Sequence, residues 1–294
     1  MNIPSILMPA SFIFGMYGIL ASVFYLQRKH RKLKGYRSPF TSNFLRSPGE
    51  SLNRQIREIS DKMMEHLVMT LMAPILLYAL LYSRNVKFSS SVNMAFIIGG
   101  IGFIGYHLFR LISLINLRQS YRLGYEGEIA VGQELNQLMR DGYYVYHDFP
   151  AGKFNIDHIV VGTSGVFAVE TKARSKMPSD NSNIDYKVTY DGNRLHFPKG
   201  TDVKSIQQAK GQAAWLSRWL NNAVGEAVAV RPVLALPGWY VERTSSNGIA
   251  VINPKNFRSI AKPKDGTVLS DQMIKRIVHQ LEQKCRDVEP RGTS

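Results

Sequence analysis

Hydrophobic and polar positions divide the chain into two kinds of pattern. The first is long and unbroken. Residues 3–26 run for 24 positions without a charge, and a helix needs about 20 apolar residues to cross a bilayer core. A second uncharged run, 67–82, has 16 residues with Pro74 near its middle, which is short for a span. A third, 88–109, has 22 residues and contains Gly99, Gly100, Gly102 and Gly105. Small residues in an apolar helix let a neighbouring helix approach closely. The second and third runs, with their short polar link, predict a membrane hairpin. A buried hairpin of a soluble domain and a re-entrant second segment are the competing readings. Residues 3–26 lack a basic leading region and exceed the ~7–15 residues of a signal-peptide core, so they read as a retained span.

The second pattern is short and periodic. Residues 125–140 predict an amphipathic helix, with Ile129, Leu135, Leu138 and Met139 near the 3.6 period and Asp141-Gly142 closing it. Residues 143–149, 154–161 and 166–171 are rich in aromatic and β-branched positions and predict three strands. Residues 184–190 and 194–197 flank Asp191-Gly192-Asn193, a hairpin signal. Residues 202–220 predict a helix with Ile206, Ala209, Ala213, Leu216 and Leu220 on one stripe. Strands over 228–236 and 248–252, a short helix at Asn253-Pro254 and an amphipathic helix over 271–284 complete the order. That order predicts an α/β fold, preceded by an α-helical membrane region. The expected division is a first span over 1–27, a basic loop over 28–65, a membrane hairpin over 66–117, an α/β domain over 122–236 and a C-terminal extension over 237–294.

Charge sharpens the first pattern more than the second. The chain has 294 residues, 37 Lys and Arg against 22 Asp and Glu, and one cysteine, Cys285. One cysteine excludes an internal disulfide framework, and no zinc-type Cys/His spacing occurs. Residues 1–117 carry 13 Lys and Arg but only four acids, so most of the excess positive charge lies beside the apolar runs. Residues 27–66 carry ten basic residues, including Arg28, Lys29, Arg31, Lys32 and Lys34, whereas 83–91 carry only Arg84 and Lys87. The positive-inside rule then places 27–66 in the cytoplasm, the N-terminus outside, and everything after Arg110 in the cytoplasm. The expected location is therefore the cell (inner) membrane. The basic 28–37 segment reads as topogenic charge beside anionic lipid, with nucleic-acid contact as its alternative.

Candidate chemistry is concentrated in two predicted strands. Asp157 lies in Asn155-Ile156-Asp157-His158, and Glu170 and Lys172 lie two residues apart in Gly165-Val166-Phe167-Ala168-Val169-Glu170-Thr171-Lys172. A period of two points Glu170 and Lys172 to one face, and a hairpin pairing would bring Asp157 to Glu170. Two carboxylates suit an oxygen-ligated Mg²⁺ that keeps several waters and grips a phosphate. An amine beside them would orient a water and stabilise developing charge. A structural ion-pair cluster at a strand end remains the alternative. His158 points to the opposite face and reads as structural. Trp215 and Trp219, four apart on the helix that carries Gln208 and Gln212, read as packing residues, with base stacking as the alternative. No phosphate-binding G-x-x-x-x-G-K-[ST] loop and no serine or cysteine triad can be assembled.

Taken in order, these pieces resemble the PD-(D/E)XK nuclease superfamily, and more closely its NERD (nuclease-related domain) branch. The resemblance rests on Gly127-Glu128 opening the first helix, Ile156-Asp157-His158, the 165–172 stretch, and Gln208 within Ile206-Gln207-Gln208-Ala209-Lys210. It covers about residues 122–236. It implies a restriction-endonuclease-like mixed sheet flanked by helices. It also implies Glu128, Asp157 and Glu170 as ligands of Mg²⁺ or Mn²⁺, Lys172 as the catalytic lysine, and Gln208 contacting substrate or orienting the site. Asn155 stands where many members carry glutamine, and 174–183 form a polar insert. The expected function is a membrane-anchored, metal-dependent nuclease acting on nucleic acid, DNA in the first instance, in defence against foreign DNA or in DNA processing. The alternative is a non-catalytic tethered module that binds nucleic acid or protein. Expected partners are nucleic acid, the lipid bilayer and, through the glycine-rich run, a second copy in a homo-oligomer. Transport is disfavoured because the spans hold no acid and His107 is their one imidazole.

Overall fold

The computed structural model describes residues 22–23, 25–26, 42–82, 89–176, 186–262 and 268–289. The expected first span, the 28–37 basic cluster and most of the 174–183 insert lie outside them, apart from short helical pieces at 22–23 and 25–26. Two compact units partition the chain. One includes residues 57–119, and the other consists of 42–56 and 120–290.

The first unit is helical. Helix α1 runs Glu50–Tyr82 and helix α2 runs Ser90–Asn136, with their outer portions assigned to the second unit. Within the first unit the two run antiparallel. Arg118 Nε donates to Ser60 Oγ at 3.1 Å, and His66 Nδ1 meets His107 Nδ1 at 2.9 Å. A Cβ on Gly100 would stand 2.7 Å from Leu77, whereas Gly99, Gly102 and Gly105 face open space. Of the four glycines, then, Gly100 makes the close helix approach. His107, the one imidazole inside the apolar runs, meets His66, which stands just before residue 67. The stretch 50–65, read as part of a loop, is helical. Many apolar side chains face outward, among them Leu71, Leu76, Ile98, Ile101 and Phe109, each more than half exposed. Among the described residues one helix, that beginning at Ser90, is long and apolar enough to cross a membrane.

The second unit is a mixed α/β fold. Strands β1 (Tyr144–Pro150), β2 (Asn155–Gly162), β3 (Gly165–Thr171), β7 (Val230–Ala235) and β9 (Ala250–Ile252) form a sheet in the order β1-β2-β3-β7-β9. The first three are antiparallel, and β3, β7 and β9 are parallel. A smaller sheet, in the order β6-β5-β4-β8, uses β4 (Lys187–Tyr190), β5 (Leu195–His196), β6 (Thr201–Asp202) and β8 (Tyr240–Arg243). The hairpin expected around Asp191 is the β4–β5 pair. Its turn is held by Asp191 Oδ1, which accepts from the N–H groups of Asn193 and Arg194.

Helices cover both faces of the large sheet. On one, Ala213, Leu216 and Leu220 of α3 (Lys204–Val224) and Ile274, Ile277 and Leu281 of α4 (Asp271–Cys285) close over Ile159, Val166 and Ala168. On the other, Val131 and Leu135 of α2, with Leu138 and Phe257, close over Val160, Phe167 and Val169. Every residue of β3 is buried, as expected of a central strand with helices on both sides. Met139, expected inward, is 51% exposed because the chain tightens into a 3₁₀ turn over Gln137–Asp141. Residues 237–294, read as an extension, supply β8, β9 and α4 to this same unit, and 42–56, which include the first turns of α1, belong to it as well.

Candidate active site

The site is built where the β1–β2–β3 ladder is interrupted. Pairing of β2 with β3 runs Gly162↔Gly165 through His158↔Val169, and the next positions along it are Asp157 and Glu170. There the main-chain ladder gives way. The Thr171 N–H donates instead to Asp157 Oδ2 at 2.7 Å. On the other side of β2 the pairing skips one step, between His147↔His158 and Phe149↔Ile156, which leaves out Asp148. Asp148 is the one non-glycine residue with a left-handed backbone among those described, φ 49°. The register is equal on both sides of it, so the break is a twist rather than an inserted residue. Its consequence is visible in the core. Phe149 and Ile156 pack beside Tyr146 and Ile159, one position out of alternation.

Three carboxylates gather at this break. Burial, together with Asp148 and Glu170, pushes Glu128 up to about 8, and the nearby Gly49 N–H pulls it back only partly. Burial raises Asp157 well above the usual carboxylate range, and Glu170 and Glu128 add to that. Burial raises Glu170 to about 7 against the pull of Gln212, Lys172 and Gln208. Burial away from water is the first cause in all three, and at Glu128 and Asp157 neighbouring negative charges add to it. Glu128 Oε2 is buried with no partner in hydrogen-bond geometry. A buried carboxylate oxygen without a donor is costly unless a proton or cation meets it.

Gln212 is the residue that holds Glu170. Its Nε2 donates to Glu170 Oε2 at 2.6 Å and to the Asn155 carbonyl at 3.3 Å, which uses both amide hydrogens and fixes its orientation. Its Oε1 is buried without a partner. Gln208, one turn earlier on α3 and exposed, also lowers the Glu170 pKa through a side-chain hydrogen bond. Sequence reasoning selected Gln208 alone, and the buried contact belongs to Gln212. Lys172 follows the end of β3. Its N–H continues the parallel ladder by donating to the Ala235 carbonyl at 2.9 Å, and its exposed ammonium lowers the pKa of both Glu170 and Asp202.

Behind the carboxylates lies a buried polar chain. With Asn136 Oδ1 as acceptor, His147 donates through Nε2 at 3.0 Å and must accept at Nδ1. His158 then donates from Nδ1 at 2.9 Å and accepts at Nε2 from the Thr171 hydroxyl at 3.1 Å. Burial lowers His147 to about 4 and His158 well below the ordinary value, so both imidazoles are neutral. His158 sits among structural partners, as its position in the alternation predicted. Trp215 and Trp219 stack at 6.4 Å and set their edges against Phe149, in the packing role.

Asp148 was not singled out from the sequence. Its carboxylate accepts from Arg46 Nη1 at 2.9 Å, Ser51 N at 2.9 Å, Ser51 Oγ at 2.5 Å and Asn155 Nδ2 at 3.0 Å. With its lone pairs so occupied, Asp148 serves as a fixed negative charge beside Glu128. The donor set of Glu128, Asp157 and Glu170 fits a hard divalent cation, because all are carboxylates and one buried oxygen is unpartnered. As they stand, no three Asp, Glu, His or Cys side chains among the described residues converge closely enough to hold an ion.

Residues 123–237 match the nuclease-related domain family, NERD. The matched stretch starts just ahead of Glu128 and ends just after β7, so it contains all five expected site residues. No curated protein matches the chain, and no solved structure does.

Proposed function

We propose that the chain is a membrane-anchored, divalent-metal-dependent nuclease of the PD-(D/E)XK type that hydrolyses phosphodiester bonds of nucleic acid, DNA in the first instance. The observation that carries this reading is the gathering of Glu128, Asp157 and Glu170 at the interrupted ladder, inside a stretch matching a nuclease-related family. Glu128, Asp157 and Glu170 would hold Mg²⁺ or Mn²⁺. The cation, when bound, neutralises charge on the phosphate and lowers the pKa of a coordinated water. The Lys172 ammonium orients the attacking water and stabilises charge on the phosphoryl oxygens. Gln212 and Gln208 hold Glu170 in place. The Thr171 N–H holds Asp157.

Outward-facing apolar side chains on α1 and α2 support the anchor, and the basic 27–66 stretch supports a cytoplasmic domain. A tether of this kind confines a toxic activity to nucleic acid near the inner face, such as incoming DNA. The present spread of the carboxylates favours one other reading, a tethered binding module without catalysis. The full-length chain in detergent, with Mg²⁺ or Mn²⁺, decides between them on DNA and RNA substrates. Cleavage by the wild type should be lost in Asp157→Ala/Lys172→Ala. Equal cleavage by both would end the catalytic assignment, and binding without cleavage under either metal would favour the module.

A further inference from the structure

The candidate site is not confined to the matched domain. Residues 42–56 precede it by more than sixty positions, yet belong to the same compact unit. Phe44 pairs with Val288 through two main-chain hydrogen bonds of 2.8 and 3.2 Å, and the Arg46 N–H donates to the Cys285 carbonyl at 3.0 Å. The Arg46 guanidinium bridges Asp148 and Asp287, and Ser51 gives Asp148 two more hydrogen bonds. Pro48 lies against Gly132, where a Cβ would come within 2.6 Å of it.

Gly49 lies beside Glu128. It has φ +70°, and a Cβ on it would meet the Tyr125 ring at 2.6 Å and Glu128 Oε2 at 3.7 Å. Only glycine fits this left-handed turn pressed on an aromatic ring. Glu128 is 7% exposed, so the wall that keeps water from it includes this segment.

We propose that residues 44–53 are a positioning segment for the metal-binding carboxylates. Gly49 closes over Glu128 and aims its carboxylate at the cation, while Ser51 and Arg46 fix the Asp148 charge beside it. The inference rests on the metal reading above and deepens it: in this chain the site is a composite of the matched domain and a segment well upstream. Outer partners of this kind typically account for about 10–100-fold in metal affinity.

The test uses the full-length chain in detergent and Mn²⁺ as the probe, followed by the free-ion paramagnetic resonance signal. Mn²⁺ uptake by the wild type should vanish in Asp157→Asn/Glu170→Gln. Gly49→Ala and Ser51→Ala should each weaken it by about tenfold or more. Ser51→Thr keeps the hydroxyl and should restore affinity to within a few-fold. Arg258→Ala, which breaks a distant exposed pair with Asp141, should leave it unchanged. Amide hydrogen exchange without metal reads the segment separately. Residues 44–53 should be protected in the wild type and exposed in Gly49→Ala, with 156–171 protected in both. Unchanged Mn²⁺ affinity in Gly49→Ala and Ser51→Ala overturns the inference and leaves the metal reading intact. A wild type that takes up no Mn²⁺ overturns the metal reading and this inference with it.

Discussion

Glu170 is poised between two opposing influences. Burial draws its pKa up to about 7, and Gln212 is the strongest of the groups that draw it down. Gln212→Leu removes that hydrogen bond, so Glu170 should stay protonated to higher pH. The acid limb of the cleavage profile should shift upward, with the loss at least about tenfold at pH 7 and smaller at pH 9. A profile that falls uniformly at all pH values would speak against this role. Glu128 makes a related prediction about stability. Its carboxyl takes up a proton near 8 when folded and near 4.5 otherwise. Between those values the folded state holds the extra proton, so its contribution to stability is full below about 4.5 and is lost as pH rises to about 8. Thermal unfolding in chelator, compared between wild type and Glu128→Gln, should show the wild type losing ground across that window, and added Mg²⁺ should return it. A difference that stays flat with pH would count against the buried carboxylate.

Among the elements, β1 shows best what the sequence could and could not reveal. Its aromatic and β-branched run made the strand legible, and so did the apolar runs of β2, β3 and β7, most fully in β3, which is buried along its whole length. The twist at Asp148 left no trace in that run. It depends on four donors, of which Arg46 and Ser51 lie about a hundred positions away. Arg46→Met should therefore destabilise the second unit by about 3 kcal/mol, since it leaves a buried carboxylate short of its cation. Denaturant unfolding measures that directly, and a change below about 0.5 kcal/mol, typical of an exposed pair, would show that Arg46 is dispensable. The smaller sheet was half legible. The β4–β5 hairpin announced itself through Asp191-Gly192-Asn193, whereas β8 is a mostly polar strand at the sheet edge and β6 is two residues long. The choice between Gln208 and Gln212 was equally beyond reach. The two lie one helical turn apart, and only the seating of α3 on the sheet decides which is buried.

At the scale of the whole molecule, the +15 charge of the chain divides between two tasks. Most of it flanks the apolar runs, and the remainder belongs to the α/β unit. If α2 spans a bilayer, the protein should stay in the membrane fraction through an alkaline carbonate wash and leave it only with detergent. Release by carbonate would remove the anchor from the proposed function.

The Phe44–Val288 and Arg46–Asp287 contacts carry one more consequence, for the order of events during synthesis. Arg46 and Asp287 are 241 positions apart. At about 5–20 residues per second, a ribosome that has made Arg46 needs on the order of ten seconds or more before its partner exists. Throughout that interval the segment ahead of α1 can meet Asp148 and Gly132 but lacks its C-terminal partners, and α4 is not yet there to cover Phe149 and Ile156. Native contacts that close so long a loop form slowly. Full anchoring of the segment that walls Glu128 is thus a late event in the life of each new chain, timed by translation itself.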